Sequence, residues 1–310
     1  MAEVRYIRGR ELDRNRWDRL MQSAGNADLY GSSIFLDTMT DGWDAVICGD
    51  YEAAIPLPVR KRFGFRYTYI LPFCGPFAVY GRLPEGVSVA TMLEAIPRSL
   101  IRCDLNLWTD TLPSGWVVRS RINHLLALSI DYPAIRDRYG ATCKNLLNRG
   151  LTAGWYLEST FPVTAQIQMA GRFGGLGSTT QRDIRRFERL CTVWPAAGEI
   201  LSLTMYDLSG QAHAGGMFLR STRRLHYLLG WSSPEGKQHN ASRHILDHVI
   251  RMHASQPLTL DFEGSDIPGV AQFFESFGAI PSRYQFLRRD KLHAILHQVI
   301  SNKNRLFRKG

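Results

Sequence analysis

Asp261 and Glu263 flank Phe262 in the run LDFEGSD at 260–266. On a strand this alternation sends both carboxyls to one face. A carboxylate so placed beside a cleft can act as a general base. Asp266, two residues past Gly264, sits where a side chain caps the helix expected from Ile267, so capping competes with catalysis as the role of these acids. His244 and His248 stand one helical turn apart, a spacing that can bind zinc. The glutamate of an H-E-x-x-H motif is replaced by Ile245 and no third ligand is evident, so a polar helix face and no metal are expected. The five cysteines, at 48, 74, 103, 143 and 191, are odd in number and never form C-x-x-C, which predicts reduced core thiols rather than disulfides.

The elements that must position these acids run from Arg224 to Arg289: strand, Gly-bearing loop, helix, strand, acidic turn, helix, strand. Strand 224–229 ends at Gly230 and the Ser232, Ser233, Pro234 cluster. A helix starts near Asn240 or Ser242, with Ile245, Val249, Ile250 and Met252 at helical spacing. Strand 258–263 leads to helix 267–277, stopped by Gly278. Upstream, the chain predicts an edge strand at 4–8, helices at 13–23 and 33–40, strands at 45–48, 52–59 and 66–71, a Pro/Gly/aromatic loop at 72–81, a helix at 89–102 and a strand at 104–109. The strands near Val117 and Leu125 follow too soon for a second full helix. Residues 132–154 read as helical, followed by a strand at 155–159 and helices at 162–173 and 179–192. FGGLGS between those helices is a hinge, because no strand precedes it. Arg182, Arg185, Arg186 and Arg189 form a basic face turned to solvent or to phosphate. A hairpin at 199–206 and 213–220 completes a strand, turn, strand, strand, helix order at 199–254 that also occurs at 45–102. Two related mixed α/β units follow, the first degenerate, dividing the chain at 1–131, 132–291 and a basic terminal segment at 292–310.

LDFEGSD, followed by GVAQFFESFGA at 269–279 and Tyr284, resembles the acyl-binding core of the GCN5-related N-acetyltransferase (GNAT) superfamily. Ala271, Phe273, Phe274, Gly278 and Ala279 resemble the frame A-x-x-F-Y-x-x-x-G-F common at the end of that core. The element order is more similar to the Fem-like acyltransferases, which carry two such units in one chain. The resemblance implies transfer of an acyl or aminoacyl group to a small-molecule or peptide amine, a cell-wall peptide in Fem enzymes, with substrate between the units. It implies a donor cradle at a helix N-terminus, where Lys237, Asn240 and Ser242 take the positions of Q/R-x-x-G-x-G/A. Side chains at 240 and 242 crowd that backbone, while Lys237 keeps positive charge. Glu263 and Asp261 are then the candidate bases. Phe274 stands where GNAT enzymes place a tyrosine and Fem enzymes often a lysine, and it can donate no proton; Tyr284 either substitutes or is a core aromatic. Phe73 in the 72–81 loop lines the cleft or stiffens a connection, and Lys144 and Arg149 resemble the basic helix that opens the second unit in Fem-like chains. The donor is aminoacyl-tRNA or an acyl-CoA co-substrate, with no tightly bound cofactor, although the inserted helical arm often found in tRNA-dependent enzymes has no counterpart. The alternative from another class is an inactive binding or scaffold module, favoured by Phe274 and the substituted cradle and disfavoured by the retained DFEGSD turn.

At 45 % hydrophobic and 21 % charged residues, the chain can bury a full core. Its net charge of +10 is uneven: 1–138 carries 17 basic and 16 acidic residues, 139–310 carries 21 and 12, and the last 28 residues carry eight and one. Such an excess attracts phosphate-bearing partners, including tRNA, nucleotides and anionic lipid, or else coats a solvated face. The charged start MAEVRYIRGRELDRNRW and the absence of any long apolar run predict a cytoplasmic protein with no integral membrane segment.

Overall fold

The computed structural model describes residues 2–151, 154–159, 162–177, 179–264 and 267–290. The 292–310 segment and Asp266 lie outside the described residues. The first half contains β1 (Val4–Ile7), α1 (Arg14–Ser23), α2 (Ser33–Met39), β2 (Trp43–Cys48), β3 (Ala53–Arg62), β4 (Phe65–Thr68), β5 (Tyr80–Gly81), α3 (Val89–Glu94), β6 (Leu100–Leu107) and β7 (Val117–Ala127). The second half contains α4 (Tyr132–Asp137), α5 (Ala141–Asn148), β8 (Tyr156–Glu158), α6 (Val163–Arg172), α7 (Gln181–Val193), β9 (Glu199–Tyr206), β10 (Ala212–Arg220), β11 (Arg224–Ser232), α8 (Pro234–Gln238), α9 (Ala241–His253), β12 (Thr259–Asp261), α10 (Pro268–Glu275) and β13 (Ile280–Asp290).

The expected repeat is present as a topology. β2, β3 and β4 pair antiparallel, α3 crosses over, and β6 returns parallel to β4. Correspondingly, β9, β10 and β11 pair antiparallel, α8 and α9 cross over, and β12 lies parallel to β11. The two units are joined by exchange of their last strands. β13 pairs with β6, β7 pairs with β12, and β7 and β13 pair with each other, giving one 13-stranded sheet. The sheet therefore runs unbroken across the 131/132 position. Residues 108–116 form no helix, whereas α10 fills the equivalent connection of the second unit, so the first unit is the degenerate one.

Several boundaries move. The helix expected over 89–102 stops at Glu94, because Leu100 to Leu107 are drawn into the sheet between β4 and β13. The two strands near Val117 and Leu125 are one, since β7 is paired along its length. On α9 the core face is Ala241, Ile245, Leu246, Val249 and Ile250, while Met252 is exposed. The basic face of α7 is partly neutralised within the molecule: Arg182 and Arg186 both contact Asp41, as does Arg60 from β3. Beneath them Phe187 of α7 stacks on Phe73 at 4.2 Å, in a core that draws residues from both units. Burying a phenylalanine contributes about 1.5–3 kcal/mol, so this stack helps to seat α7 on the 72–81 loop.

Candidate active site

Parallel register sets the first contact of the site. His226 of β11 is the partner of Asp261 of β12, so their side chains emerge side by side. β12 ends at Asp261, and the strand expected to run on to Glu263 instead turns, with φ +61° at Glu263 and +68° at Gly264. Simple strand alternation therefore does not bring the two acids together. The turn does: the Glu263 amide donates to Asp261 Oδ1 at 2.9 Å, and Glu263 Oε1 meets His226 Nδ1 at 2.8 Å. Asp261 is saturated further by Asn123 Nδ2 at 2.8 Å and by Arg224 Nη1 at 3.0 Å.

Gly264 is required at this turn. A Cβ there would lie 2.5 Å from the Ile122 carbonyl oxygen, in a backbone region that L side chains rarely adopt. Gly264→Ala is expected to lower stability by about 1–3 kcal/mol and to displace Glu263. Chemical denaturation with parallel activity measurements checks this; unchanged stability would mean that the turn relaxes freely.

The first unit closes the site from the other side. Tyr30 lies edge-on to the His226 ring at 4.9 Å and beside Glu263. Asp28 accepts the Tyr80 hydroxyl at 2.7 Å and the backbone amides of Tyr30 and Gly31. Gly75 comes so near that a Cβ would stand 2.5 Å from Glu263 Oε2. Only a residue without a side chain lets the 72–81 loop cover the acid this closely.

Burial dominates the electrostatics. Desolvation pushes the Glu263 carboxyl up to about 8, with the nearby Asp28 adding to the shift and Tyr30 and Arg224 opposing it. Burial also raises Asp28 and Asp261 and lowers His226, which is therefore a neutral imidazole. The Cys74 thiol is held well above its ordinary range by desolvation and by the carboxyls of Glu263 and Asp28, which leaves it a poor nucleophile. His226, Asp261 and Glu263 bring one ligand atom each within 4.8 Å of one another, a spacing that could accept a divalent cation. Arg224 already supplies positive charge to this set. His244 and His248 gain no third ligand among the described residues.

Glu263 lies where two clefts meet. A cleft of about 660 Å³ is lined by Lys237, Asn240, Ser242, Tyr227, Phe274 and Glu263, among others. A second, of about 510 Å³, is lined by Phe73, Cys74, Gly175, Leu176, Leu228 and Glu263. The structure thus gathers Glu263, Lys237, Asn240, Ser242 and Phe73 around two adjoining clefts that share Glu263. It leaves out the other candidates. Asp261 is buried behind Glu263, and Tyr284 packs edge-on to Trp108 at 5.8 Å. The Lys144 ammonium donates to the Asp137 carbonyl at 2.8 Å, and Arg149 is exposed at the end of α5; none of these four lines either cleft. At the start of α9, Asn240 holds φ +57° with no side-chain cap, the left-handed conformation that asparagine tolerates better than most residues. Asp207, His213 and Ser233 are linked in the order of a hydrolase triad, at 2.9 and 3.2 Å. Ser233 is buried, however, and its Oγ caps α8 by accepting the Gly236 amide at 2.9 Å. The chain of contacts anchors the loop that carries Lys237.

Sequence reading missed His226, Tyr30, Asp28 and Tyr227. Arg224 and His226, two residues apart on an otherwise apolar strand, were a usable signal, since period-2 polarity inside a buried strand needs a partner. Tyr30 and Asp28 carried none, because they reach Glu263 only through packing of the two units.

This architecture, two GNAT-like units sharing one sheet, is a Fem-like fold. Among solved structures, FemX is similar with a TM-score of 0.64 at 14 % identity, covering 93 % of this chain and 98 % of FemX. A conserved protein of unknown function from Bacteroides thetaiotaomicron VPI-5482 is similar with a TM-score of 0.56 at 9 % identity, covering 93 % and 99 %. No protein-family model and no curated protein matches the chain. Identities this low establish the fold; the chemistry rests on the side chains.

Proposed function

We propose that the protein transfers an acyl or aminoacyl group to an amine, with Glu263 as the general base. The observation that carries this reading is the position of Glu263 where the two clefts meet, with its carboxyl pushed up to about 8. A base poised near neutral pH is half-ready to accept a proton from an ammonium and strong enough to keep it. Neutral His226 holds the Glu263 carboxyl in place, and Asp261 and Arg224 position both, so Asp261 acts through Glu263 and not on substrate. The larger cleft would take the donor, its phosphates directed to the first turn of α9 by the helix dipole and Lys237. The smaller cleft, walled by Phe73 and Leu176, would take the acceptor amine.

Tyr227 supplies what Phe274 cannot. Its hydroxyl lies on the donor-cleft wall next to Gly230, and burial keeps it protonated, so it is a group able to return a proton to a strongly basic leaving group. The donor is an acyl-CoA or an aminoacyl-tRNA. Calorimetric titration with acyl-CoA thioesters and, separately, with aminoacyl-tRNA is expected to give binding by one class. Lys237→Ala should weaken it about tenfold, the effect of losing one charge-assisted contact, while kcat changes less than KM. Phe274 and the side chains at 240 and 242 favour the rival reading, a binding module without catalysis. That reading wins if a donor binds but no acceptor amine yields turnover sensitive to Glu263→Gln.

A further inference from the structure

The β3–β4 hairpin lies away from both clefts and is built unlike an ordinary turn. Its sequence, RKRFGFR at 60–66, holds four basic residues, two phenylalanines and no acid. The tip residues Phe63 and Gly64 both take positive φ, +50° and +83°. Asparagine, aspartate or glycine normally fills the first of these positions, and a bulky aromatic there is an outlier. The ring gains no burial in exchange, since Phe63 is 86 % exposed and Phe65 51 % exposed. Lys61 and Arg62 flank them in solvent, with the Arg62 guanidinium 5.1 Å from the Phe63 ring centroid. Below the tip, Phe65, Tyr67, Ile101 and the ion pair of Arg102 with Asp104 help line a hollow of about 410 Å³.

We propose that this hairpin docks the protein on the surface of an anionic lipid bilayer. Two exposed aromatic rings at a projecting tip suit the boundary between headgroups and acyl chains. Lys and Arg beside them reach the phosphates while their aliphatic stems stay with the rings. The absence of acids from the hairpin matches the negative potential of such a surface. No helix among the described residues is long and apolar enough to cross a membrane, so the contact is peripheral, reversible and weakened by salt. It stands independently of the proposed chemistry.

Co-sedimentation of the full chain with phosphatidylcholine vesicles, with and without about one-third phosphatidylglycerol, tests the proposal. Binding to the anionic vesicles is expected to exceed binding to the neutral ones by about tenfold or more and to fall at high salt. Phe63→Asn suits the turn better than phenylalanine and so folds at least as well. Combined with Phe65→Ser it should reduce vesicle binding about tenfold, and Arg62→Glu should do the same. The proposal is overturned if the anionic vesicles are not bound or if the hairpin variants bind them normally. It is also overturned if those variants lose tRNA binding or self-association, measured by gel shift and sedimentation velocity, while vesicle binding persists.

Discussion

Glu263→Gln is expected to abolish turnover while making the protein more stable in alkaline solution. Loss of a positioned general base costs about 10²–10⁴-fold in rate. Donor affinity should stay within a few-fold, because glutamine keeps the size of the side chain and can still meet His226 Nδ1. The pH dependence follows from the direction of the shift. The folded carboxyl titrates near 8 against an ordinary 4.5, so between those values the native state holds a proton that the unfolded chain has released. Its contribution to stability is therefore fully present below about pH 4.5 and is lost as pH rises through 8. Glutamine removes that loss, and at pH 9 the variant should be more stable on the order of 3 kcal/mol. For the wild type, kcat/KM should rise with pH to a midpoint near 8; any residual rate of the variant should lack this step. Urea denaturation at pH 5, 7 and 9 and a pH–rate profile measure the two effects. A variant with normal kcat, or one destabilised at pH 9, would remove Glu263 from the proposed role.

Arg224→Met should be the most disruptive single change outside the apolar core. Arg224 is three-quarters buried and lies 3.0 Å from Asp261, whose side chain is 1 % exposed. Breaking a buried pair leaves an uncompensated charge, at about 3–5 kcal/mol. The residual access of water to Arg224 puts the expected value near the lower end. Asp261 is already raised by burial and by Glu263, and without the guanidinium it rises further. The destabilisation should thus be largest above neutral pH and fade as pH falls and the carboxyl takes up its proton. Because Arg224 also lowers Glu263, the activity midpoint should move upward from 8. Asp261→Asn in the Arg224→Met background should recover much of the lost stability, giving a double-mutant coupling above about 1 kcal/mol. Additive losses would show that the two side chains do not form a coupled pair. Together the variants separate the proposed base from the pair that holds it.

The local sequence carried the order of elements and the residues of the turn. Hydrophobic periodicity located α1 and, Met252 apart, the buried face of α9, while the turn at Ser209 and Gly210 located the β9–β10 hairpin. The repeat at 45–102 and 199–254 predicted two related units, and DFEG marked Glu263. Long-range pairing decided the rest. Exchange of β7 and β13 between the units leaves no trace in periodicity, because alternation along a strand reports its two faces and not which neighbour it pairs with. The choice of Glu263 as the proposed base rests on that exchange and on packing of the 72–81 loop. Asp261 and Glu263 are both candidates as residues, Glu263 the favoured one, but it is burial by Tyr30 and Gly75 and the left-handed turn at Glu263 that direct one acid to the clefts and bury the other behind it. A carboxyl's pKa depends on its surroundings, and here those come from residues about 190 to 235 positions earlier in the chain.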